Sequence, residues 1–317
     1  MIDRRTLGAL SAAALLTTLS FGAAQAQDRV TLKAAKTGTS YYQMAVQLSE
    51  AIGPATDGGV SITVEESHGS VQNVKEAPAR GAGYVFTSPP SLVASAKGNR
   101  GPFEDDAAGA YENVRALFPI PSLTMHFVVS EESGVTDFDG LAGKTLILGK
   151  GSFGAREGAK TIETLGIADV TTQDVELSGA VSALRNGQVD GFVTAGSFPA
   201  PNVLEAAAGT GVRLLSMNDD QVGALGRTRL VIPAGTYPGV DEDTVTTSLP
   251  VGAYTTAETS DETAYAITKA FWESKAAMAE TNPWWSGVDT DLVGTLTGPV
   301  HPGAARYYEE AGVSIPE

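Results

Sequence analysis

The chain reads Gly149-Lys150-Gly151-Ser152-Phe153-Gly154-Ala155-Arg156 directly after a short apolar segment, residues 145–148, and just before a run with helical periodicity. Glycines let the backbone approach a ligand closely. The first amides of a helix have no partners inside the helix and carry a partial positive charge. The pattern therefore predicts a turn that binds a phosphate or a carboxylate.

The same stretch also fits the dinucleotide pattern, in which spaced glycines connect a strand to a helix. That pattern needs a downstream acidic residue to bind the ribose, and Asp169, Asp174 and Glu176 lie in the required region. An exported nucleotide-dependent oxidoreductase that uses the 149–154 turn is therefore one hypothesis.

Residues 1–26 have the organisation of a signal peptide. Arg4 and Arg5 precede an apolar run, residues 7–21, which ends in the small-x-small pattern Ala24-Gln25-Ala26. The run is shorter than the roughly 20 residues that span a bilayer. We predict cleavage after Ala26 and export to the periplasm, with the general secretory route favoured over the twin-arginine route. Export favours a carboxylate over a dinucleotide as ligand, since little free NAD is expected outside the cytoplasm.

The composition, 42% hydrophobic and 18% charged residues, is typical of a globular protein. The mature chain of about 290 residues is long enough for two α/β lobes. The formal net charge is −16, which argues against nucleic acid and anionic membranes as partners. The absence of cysteine excludes disulfides, thiol nucleophiles and thiolate metal sites, and the three histidines are too scattered to predict a metal site.

Strand-like and helix-like segments alternate along the chain. We predict strands over residues 30–35, 60–64, 84–86, 125–129, 145–148 and 189–193, and helices capped by Ser40, Ser178 and Ser260 or beginning at Ser70 and near Ala155. This alternation predicts an α/β protein with parallel-rich sheets, flanking helices, and two lobes with a ligand cleft between them. We place lobe 1 at residues 27–120 plus 250–317 and lobe 2 at 121–249, with crossovers near 117–129 and 249–254.

Five turns follow the predicted strands, at residues 37–42, 69–73, 87–89, 151–156 and 196–199. If both lobes present their strand ends to one cleft, these turns form its walls. The candidate ligand-binding residues are Lys36, Tyr41, Tyr42, Ser70, Asn73, Ser88, Ser152, Phe153, Gly154, Arg156, Gly196 and Ser197.

Features elsewhere in the sequence favour structural roles. We expect Trp284 and Trp285 to anchor the core, His301 to fix a C-terminal turn, and residues 237–243 to form a structural loop whose acids are chemically able to hold calcium. No catalytic motif is present, neither G-x-S-x-G, H-E-x-x-H nor a P-loop. We therefore predict a binding protein with no enzymatic activity and no cofactor.

Two segments carry a family resemblance. Thr236-Tyr237-Pro238-Gly239-Val240-Asp241-Glu242-Asp243 resembles a signature of the TAXI-class solute receptors of TRAP transporters, and His301-Pro302-Gly303-Ala304-Ala305-Arg306-Tyr307-Tyr308 is similar to that family's C-terminal motif. The resemblance extends over essentially the whole mature chain. It implies a monomeric periplasmic binding protein of type II topology that delivers glutamate, glutamine or a small dicarboxylate such as 2-oxoglutarate to an ion-gradient-driven permease. A receptor for an ATP-driven permease is an alternative with the same fold.

The sequence departs from the family pattern around the predicted pocket. Phe153 and Ala155 stand where that family has a serine and a threonine, whereas Ser152 offers one hydroxyl and Arg156 is retained. Lys36 replaces a glycine, and Pro89 replaces a frequent aspartate. The gain of a cation and the loss of an acid predict a more anionic ligand.

Overall fold

The computed structural model describes residues 27–315. The predicted signal peptide and its cleavage after Ala26 lie outside the described residues. Within the described part of the chain, no helix is both long and apolar enough to cross a membrane.

A mixed sheet of ten strands forms the centre of the described chain. Its strands are β1 (Asp28–Lys33), β2 (Val60–Glu65), β3 (Tyr84–Ser88), β4 (Val114–Ser130), β5 (Thr145–Ile147), β6 (Thr171–Gln173), β7 (Gly191–Gly196), β8 (Val212–Leu214), β9 (Thr228–Ile232) and β10 (Thr244–Thr256). The order is β2-β1-β3-β10-β4-β7-β5-β6, with β8 paired to β4 and β9 to β10.

Helices flank this sheet, as the α/β prediction requires. They are α1 (Ser40–Ala55), α2 (Ser70–Arg80), α3 (Pro90–Lys97), α4 (Phe153–Thr164), α5 (Ala180–Arg185), α6 (Pro201–Gly209), α7 (Asp219–Leu225), α8 (Asp261–Thr281) and α9 (Pro302–Glu310). Parallel pairs link β1 to β2 and β3 at one end of the sheet, and β5 to β6 and β7 at the other. The centre is antiparallel, so the sheet is mixed where parallel-rich sheets were expected.

The long strands β4 and β10 lie side by side at the centre of the sheet, between its two parallel ends. The two predicted crossovers lie on them and pair with each other, Leu249 opposite Leu123 and Val251 opposite Ile120. The register shifts between Leu249 and Val251, around Pro250, which has no N–H for the ladder. We use the predicted boundaries to name a first half, residues 27–120 and 250–315, and a second half, residues 121–249.

Aromatic packing joins the C-terminal helices to the first half. The rings of Phe118 and Phe271 stack with centroids 4.1 Å apart, and the hydroxyl of Tyr308 donates to the carbonyl of Leu117 at 2.8 Å. Trp285 is fully buried and its Nε1 donates to Oε1 of Gln47 at 2.9 Å. The prediction that the tryptophan pair anchors the core is confirmed at this residue.

The loop that begins at Tyr237 is held by a buried hydrogen-bond chain in the second half. The Tyr237 hydroxyl accepts from the Ala200 N–H and donates to Nε2 of His126, both at 2.8 Å. Nδ1 of His126 donates to the Thr124 carbonyl at 3.1 Å. Burial lowers the pKa of His126 to about 4, so the ring is neutral. The structural role predicted for this loop is confirmed at Tyr237.

The helix caps separate correct predictions from wrong ones. Ser260 caps α8, as predicted, by accepting the Thr263 N–H at 3.1 Å. The cap of α1 is Thr39, whose Oγ1 accepts the Tyr42 N–H at 3.3 Å, so the prediction for Ser40 was wrong by one residue. Ser178 lies inside a short 3₁₀ turn and makes no cap bond to α5, which corrects the second prediction.

Replacing Ser260 by alanine is expected to destabilise the protein by about 1 kcal/mol, since an amide in the first turn of α8 loses its acceptor. Equilibrium urea unfolding measures this change, with Ser260→Asp as the control that keeps an acceptor at the cap. Equal stability of the alanine and aspartate variants would contradict the assignment.

Candidate ligand-binding site

A cavity lined by residues of both halves lies between the two halves of the sheet. It opens where β1, β2, β3 and β5 end, as expected for ligand sites in α/β folds. The lining residues that enter the argument below are Lys36, Tyr41, His68, Gly69, Ser70, Thr87, Leu123, Gly149, Lys150, Ser152, Phe153, Gly154, Glu176, Leu177, Val193 and Val251.

The first wall is the N-terminus of α2. Gly69 precedes this helix with φ of 112°, a conformation open to glycine, and it has no side chain to cap the helix. The first amides of α2, beginning with that of Ser70, are therefore free to bind an acceptor from outside the helix.

The opposite wall is the N-terminus of α4, at the glycine turn that the sequence singles out. Oγ of Ser152 accepts the Ala155 N–H at 2.9 Å, which leaves the amides of Phe153 and Gly154 for a ligand. The Ser152 hydroxyl keeps its own proton and is still able to donate. A Cβ on Gly154 would lie 2.8 Å from that of Ala195, so glycine lets α4 pack tightly on β7.

The two helix N-termini face each other across the cavity. A Cβ built on Gly69 would lie 3.8 Å from Cα of Ser152 and 3.9 Å from the Phe153 nitrogen. Each N-terminus carries the equivalent of about half a positive charge. Their convergence makes this end of the cavity a site for an anion.

Charged side chains line the mouth of the cavity in pairs. Nζ of Lys36 lies 3.3 Å from Glu176 and 3.9 Å from Glu66, and Nδ1 of His68 lies 3.4 Å from Glu176. The Thr37 N–H donates to the Glu66 carboxylate and holds the pKa of that group below its usual range. Since Glu176 belongs to the second half and its two partners to the first, these contacts bridge the cleft at the mouth of the cavity.

The remaining walls are apolar and come from distant parts of the chain. Phe153 and Leu177 contribute from the second half, and Leu123, Val193 and Val251 from strands. The cavity thus combines an end rich in free amides with an apolar body, the usual composition of a site for a small organic ligand.

Comparison with known proteins assigns the chain to a family. The sequence pattern of the NMT1-like family matches residues 32–312, nearly all of the described chain. The chain belongs to the NMT1-like family. The TAXI subclass suggested by the sequence motifs stays a prediction.

Solved structures show which fold this NMT1-like protein has. The periplasmic binding protein BugD aligns with a TM-score of 0.58 at 13% identity, over 91% of this chain and 99% of BugD. A periplasmic transporter aligns with a TM-score of 0.53 at 13% identity, over 91% of this chain and 94% of the transporter chain. MatC from Rhodopseudomonas palustris, solved with bound malate, aligns with a TM-score of 0.52 at 14% identity, over 78% of this chain and 84% of MatC. The fold is that of periplasmic binding proteins, as predicted.

The cavity of the NMT1-like protein brings together half of the predicted site residues. Those that line it are Lys36, Tyr41, Ser70, Ser152, Phe153 and Gly154. Four of the five predicted turns contribute to the lining, and the turn at 196–199 does not. The Tyr41 hydroxyl is turned away, since it donates to the Pro121 carbonyl at 2.8 Å, so this residue offers the ligand its ring.

Asn73 and Arg156 lie outside the cavity lining and have other surroundings. The Asn73 amide is buried and donates to the carbonyls of Ala34 and Thr87, at 2.7 and 3.0 Å, which ties α2 to the ends of β1 and β3. Arg156 is exposed, with its guanidinium next to Gly101. We expected these two residues to bind the ligand because of their positions near the helix N-termini. In the structure their side chains point away from the cavity.

Gly196 and Ser197 lie outside the cavity lining and connect the two halves through Ser40. A Cβ on Gly196 would lie within van der Waals overlap of Oγ of Ser40, so only glycine leaves room for that hydroxyl. Oγ of Ser40 accepts the Ser197 N–H at 3.0 Å, and the Ser197 hydroxyl donates to the Ser122 carbonyl at 2.9 Å.

The last two predicted residues, Tyr42 and Ser88, also lie outside the lining. Tyr42 is half-buried on α1. Ser88 is fully buried and donates to the carbonyl of Pro89 at 3.2 Å.

Several lining residues of the NMT1-like protein were not among the predicted site residues. Glu176 appears in the sequence only as a possible ribose-binding acid, and the structure instead pairs it with Lys36 and His68. Leu123 and Val251 lie on the two crossover strands. The predicted crossovers were therefore the sequence signal from which these two residues could have been found.

Proposed function

We propose that the protein is an extracytoplasmic solute receptor that captures a small carboxylate between its two halves and delivers it to a TRAP-type permease driven by an ion gradient. The observation that carries this proposal is the convergence of the N-termini of α2 and α4 on one cavity. The fold and the family support it, and the predicted signal peptide supports a periplasmic location.

Carboxylate binding would couple capture to closure of the cleft. One oxygen would accept from the amide of Ser70 in the first half, and the other from the amides of Phe153 and Gly154 in the second. A ligand that contacts both halves binds the closed arrangement more tightly than an open one and so shifts the population toward it.

The solute class is proposed from two sources. The TAXI resemblance favours acidic amino acids and dicarboxylates such as glutamate and 2-oxoglutarate, and MatC, which shares the fold, was solved with bound malate. The two helix N-termini account for one carboxylate and do not distinguish ligands that carry a second one.

Thermal unfolding of the chain from Gln27 tests the proposal against a panel of monocarboxylates, dicarboxylates, amino acids, sugars and NAD. A ligand at about 100 times its Kd stabilises the native state by roughly 2.7 kcal/mol. Stabilisation by carboxylates and none by NAD is expected. Stabilisation by NAD alone would overturn the proposal in favour of the oxidoreductase.

Ser70→Pro is expected to weaken carboxylate binding by about 1.5–3 kcal/mol, since it removes one amide donor to a charged acceptor. Proline is well tolerated at the first position of a helix, so α2 should be retained. Ser70→Ala is the matched control, because it removes the hydroxyl and keeps the amide. Isothermal titration calorimetry measures both, and equal affinity of the proline variant and the parent would remove α2 from the binding site.

The permease is tested by uptake into vesicles that contain candidate membrane subunits and receive the loaded protein. We expect uptake to follow an imposed ion gradient and to need no ATP. Uptake that requires ATP would establish the alternative receptor class.

A further inference from the structure

The positive side chains that line the cavity already face carboxylates of the protein. Lys36 lies between Glu66 and Glu176, at 3.9 and 3.3 Å, so one positive charge meets two negative ones. A ligand carboxylate placed beside Lys36 would be the third anion around one cation. Such a group would be repelled by Glu176 as much as it is attracted by the lysine.

The other two basic groups of the lining are paired in the same way. Nδ1 of His68 lies 3.4 Å from Glu176. Nζ of Lys150 donates to Asp174 at 2.6 Å, and this bond raises the pKa of the lysine. Among the lining residues that the structure describes, no cation is left without an acidic partner.

The anion end of the cavity contains an unpartnered donor besides the helix amides. Thr87 is the penultimate residue of β3, is 4% exposed and lines the cavity. Its carbonyl accepts from Asn73, whereas its hydroxyl has no partner within residues 27–315. A hydroxyl in the lining is able to donate to a ligand in the cavity.

The rest of the cavity is suited to an uncharged group. Phe153, only 6% exposed, stands in the lining with Leu123 and Val251, and Leu177 lies half-buried at the edge. A charged group against these side chains would lose its hydration without gaining a partner. An alkyl chain would instead gain free energy from burial.

We propose that the solute is a monocarboxylate with an apolar body and no second charge. Its carboxylate lies between the N-termini of α2 and α4 and accepts from Thr87, and its body packs on Phe153. This inference rests on the proposed function and narrows it, because it places dicarboxylates and acidic amino acids below monocarboxylates in affinity.

Calorimetric titration of the chain from Gln27 compares three ligands of similar size. The 2-oxo acid 4-methyl-2-oxopentanoate has an apolar body. 2-Oxoglutarate has the same 2-oxo acid head group and carries a second carboxylate at the other end of the molecule. Leucine has the apolar body of the first ligand, with an ammonium in place of the 2-oxo group. We expect 4-methyl-2-oxopentanoate to bind at least about tenfold more tightly than the other two, a difference of about 1.4 kcal/mol. The second carboxylate of 2-oxoglutarate would lie unpaired in the apolar body, and the ammonium of leucine would lie beside the positive helix N-termini.

The outcomes separate the two proposals. Tighter binding of 2-oxoglutarate or of leucine overturns the monocarboxylate inference and leaves the carboxylate receptor standing. Binding of sugars or NAD, with no binding of any carboxylate, overturns both.

Phe153→Ser tests the apolar body, with Phe153→Leu as the matched control. The serine variant should lower the preference for 4-methyl-2-oxopentanoate over 2-oxoglutarate by about tenfold, and the leucine variant should keep it. If the serine variant does not fold, Leu177→Gln at its half-buried position tests the same wall. An unchanged preference in a folded variant would overturn the inference.

Thr87→Val tests the anion end independently. It should weaken the binding of both 2-oxo acids by about tenfold and leave the ratio of their two affinities unchanged, because both present the same head group to Thr87. Unchanged affinity for both acids would remove Thr87 from the site and with it the independent support for the anion end.

Discussion

Gly303→Ala is expected to be the most destabilising small substitution in this protein, with a loss of at least about 3 kcal/mol. A Cβ on Gly303 would lie 2.8 Å from the carbonyl carbon of Asp261 and from the Tyr265 nitrogen, and would overlap the Asp261 carbonyl oxygen. These are backbone atoms in the first turn of α8, so no side chain is able to move aside. The methyl group would force α9 away from α8.

The measurement is thermal unfolding, where a loss of this size lowers Tm by about 5 °C or more. The matched control is Gly223→Ala in α7, where no atom lies within 4 Å of the added methyl group. That change should stabilise the helix by roughly 0.5–1 kcal/mol. Equal Tm values for the two variants would show that α8 and α9 do not pack as closely as described.

The second large effect is a loss of stability in mild acid caused by His126. The pKa of this buried ring is lowered to about 4, from about 6.5 in the unfolded chain. Between these values the unfolded state binds a proton that the folded state does not. The stabilisation is therefore complete above about pH 6.5 and is lost as the pH falls toward 4, by about 3 kcal/mol in all.

His126→Gln removes this titration while offering Tyr237 an acceptor in place of Nε2. Urea unfolding at several pH values from 7 to 4.5 measures the free energy of unfolding. This free energy should fall less steeply with decreasing pH in the variant than in the parent, whatever the stability of the variant at pH 7. The pKa of His301 is also lowered by burial, so this residue reduces the stability of both the parent and the variant in mild acid. Parallel curves would show that His126 is not buried as a neutral ring.

The elements that local sequence determines were predicted well. Hydrophobic periodicity placed α1, α4 and α8, and the cap at Ser260 and the glycine turn at 149–154 follow from chemistry within a few residues. The cap of α1 was missed by one residue because Thr39 and Ser40 carry equivalent hydroxyls. Only the backbone angles of Thr39, φ −97° and ψ 156°, decide between them.

The candidate site was harder to predict because side-chain direction and strand order determine it. Asn73 and Arg156 both occupy the fourth position of a helix whose N-terminus lines the cavity. One points into the sheet and the other into solvent, since each helix is rotated differently about its axis. The contributions of Leu123 and Val251 depend on the register of β4 against β10, which no local pattern contains.

The path of the two long strands also determines the order in which the protein is able to fold during synthesis. The chain leaves the first half along β4 and returns to it along β10, so α8 and α9 are made last. Until they appear, Phe118 lacks Phe271 and the carbonyl of Leu117 lacks the hydroxyl of Tyr308. The nascent chain therefore cannot complete its first half before residue 308 has been added.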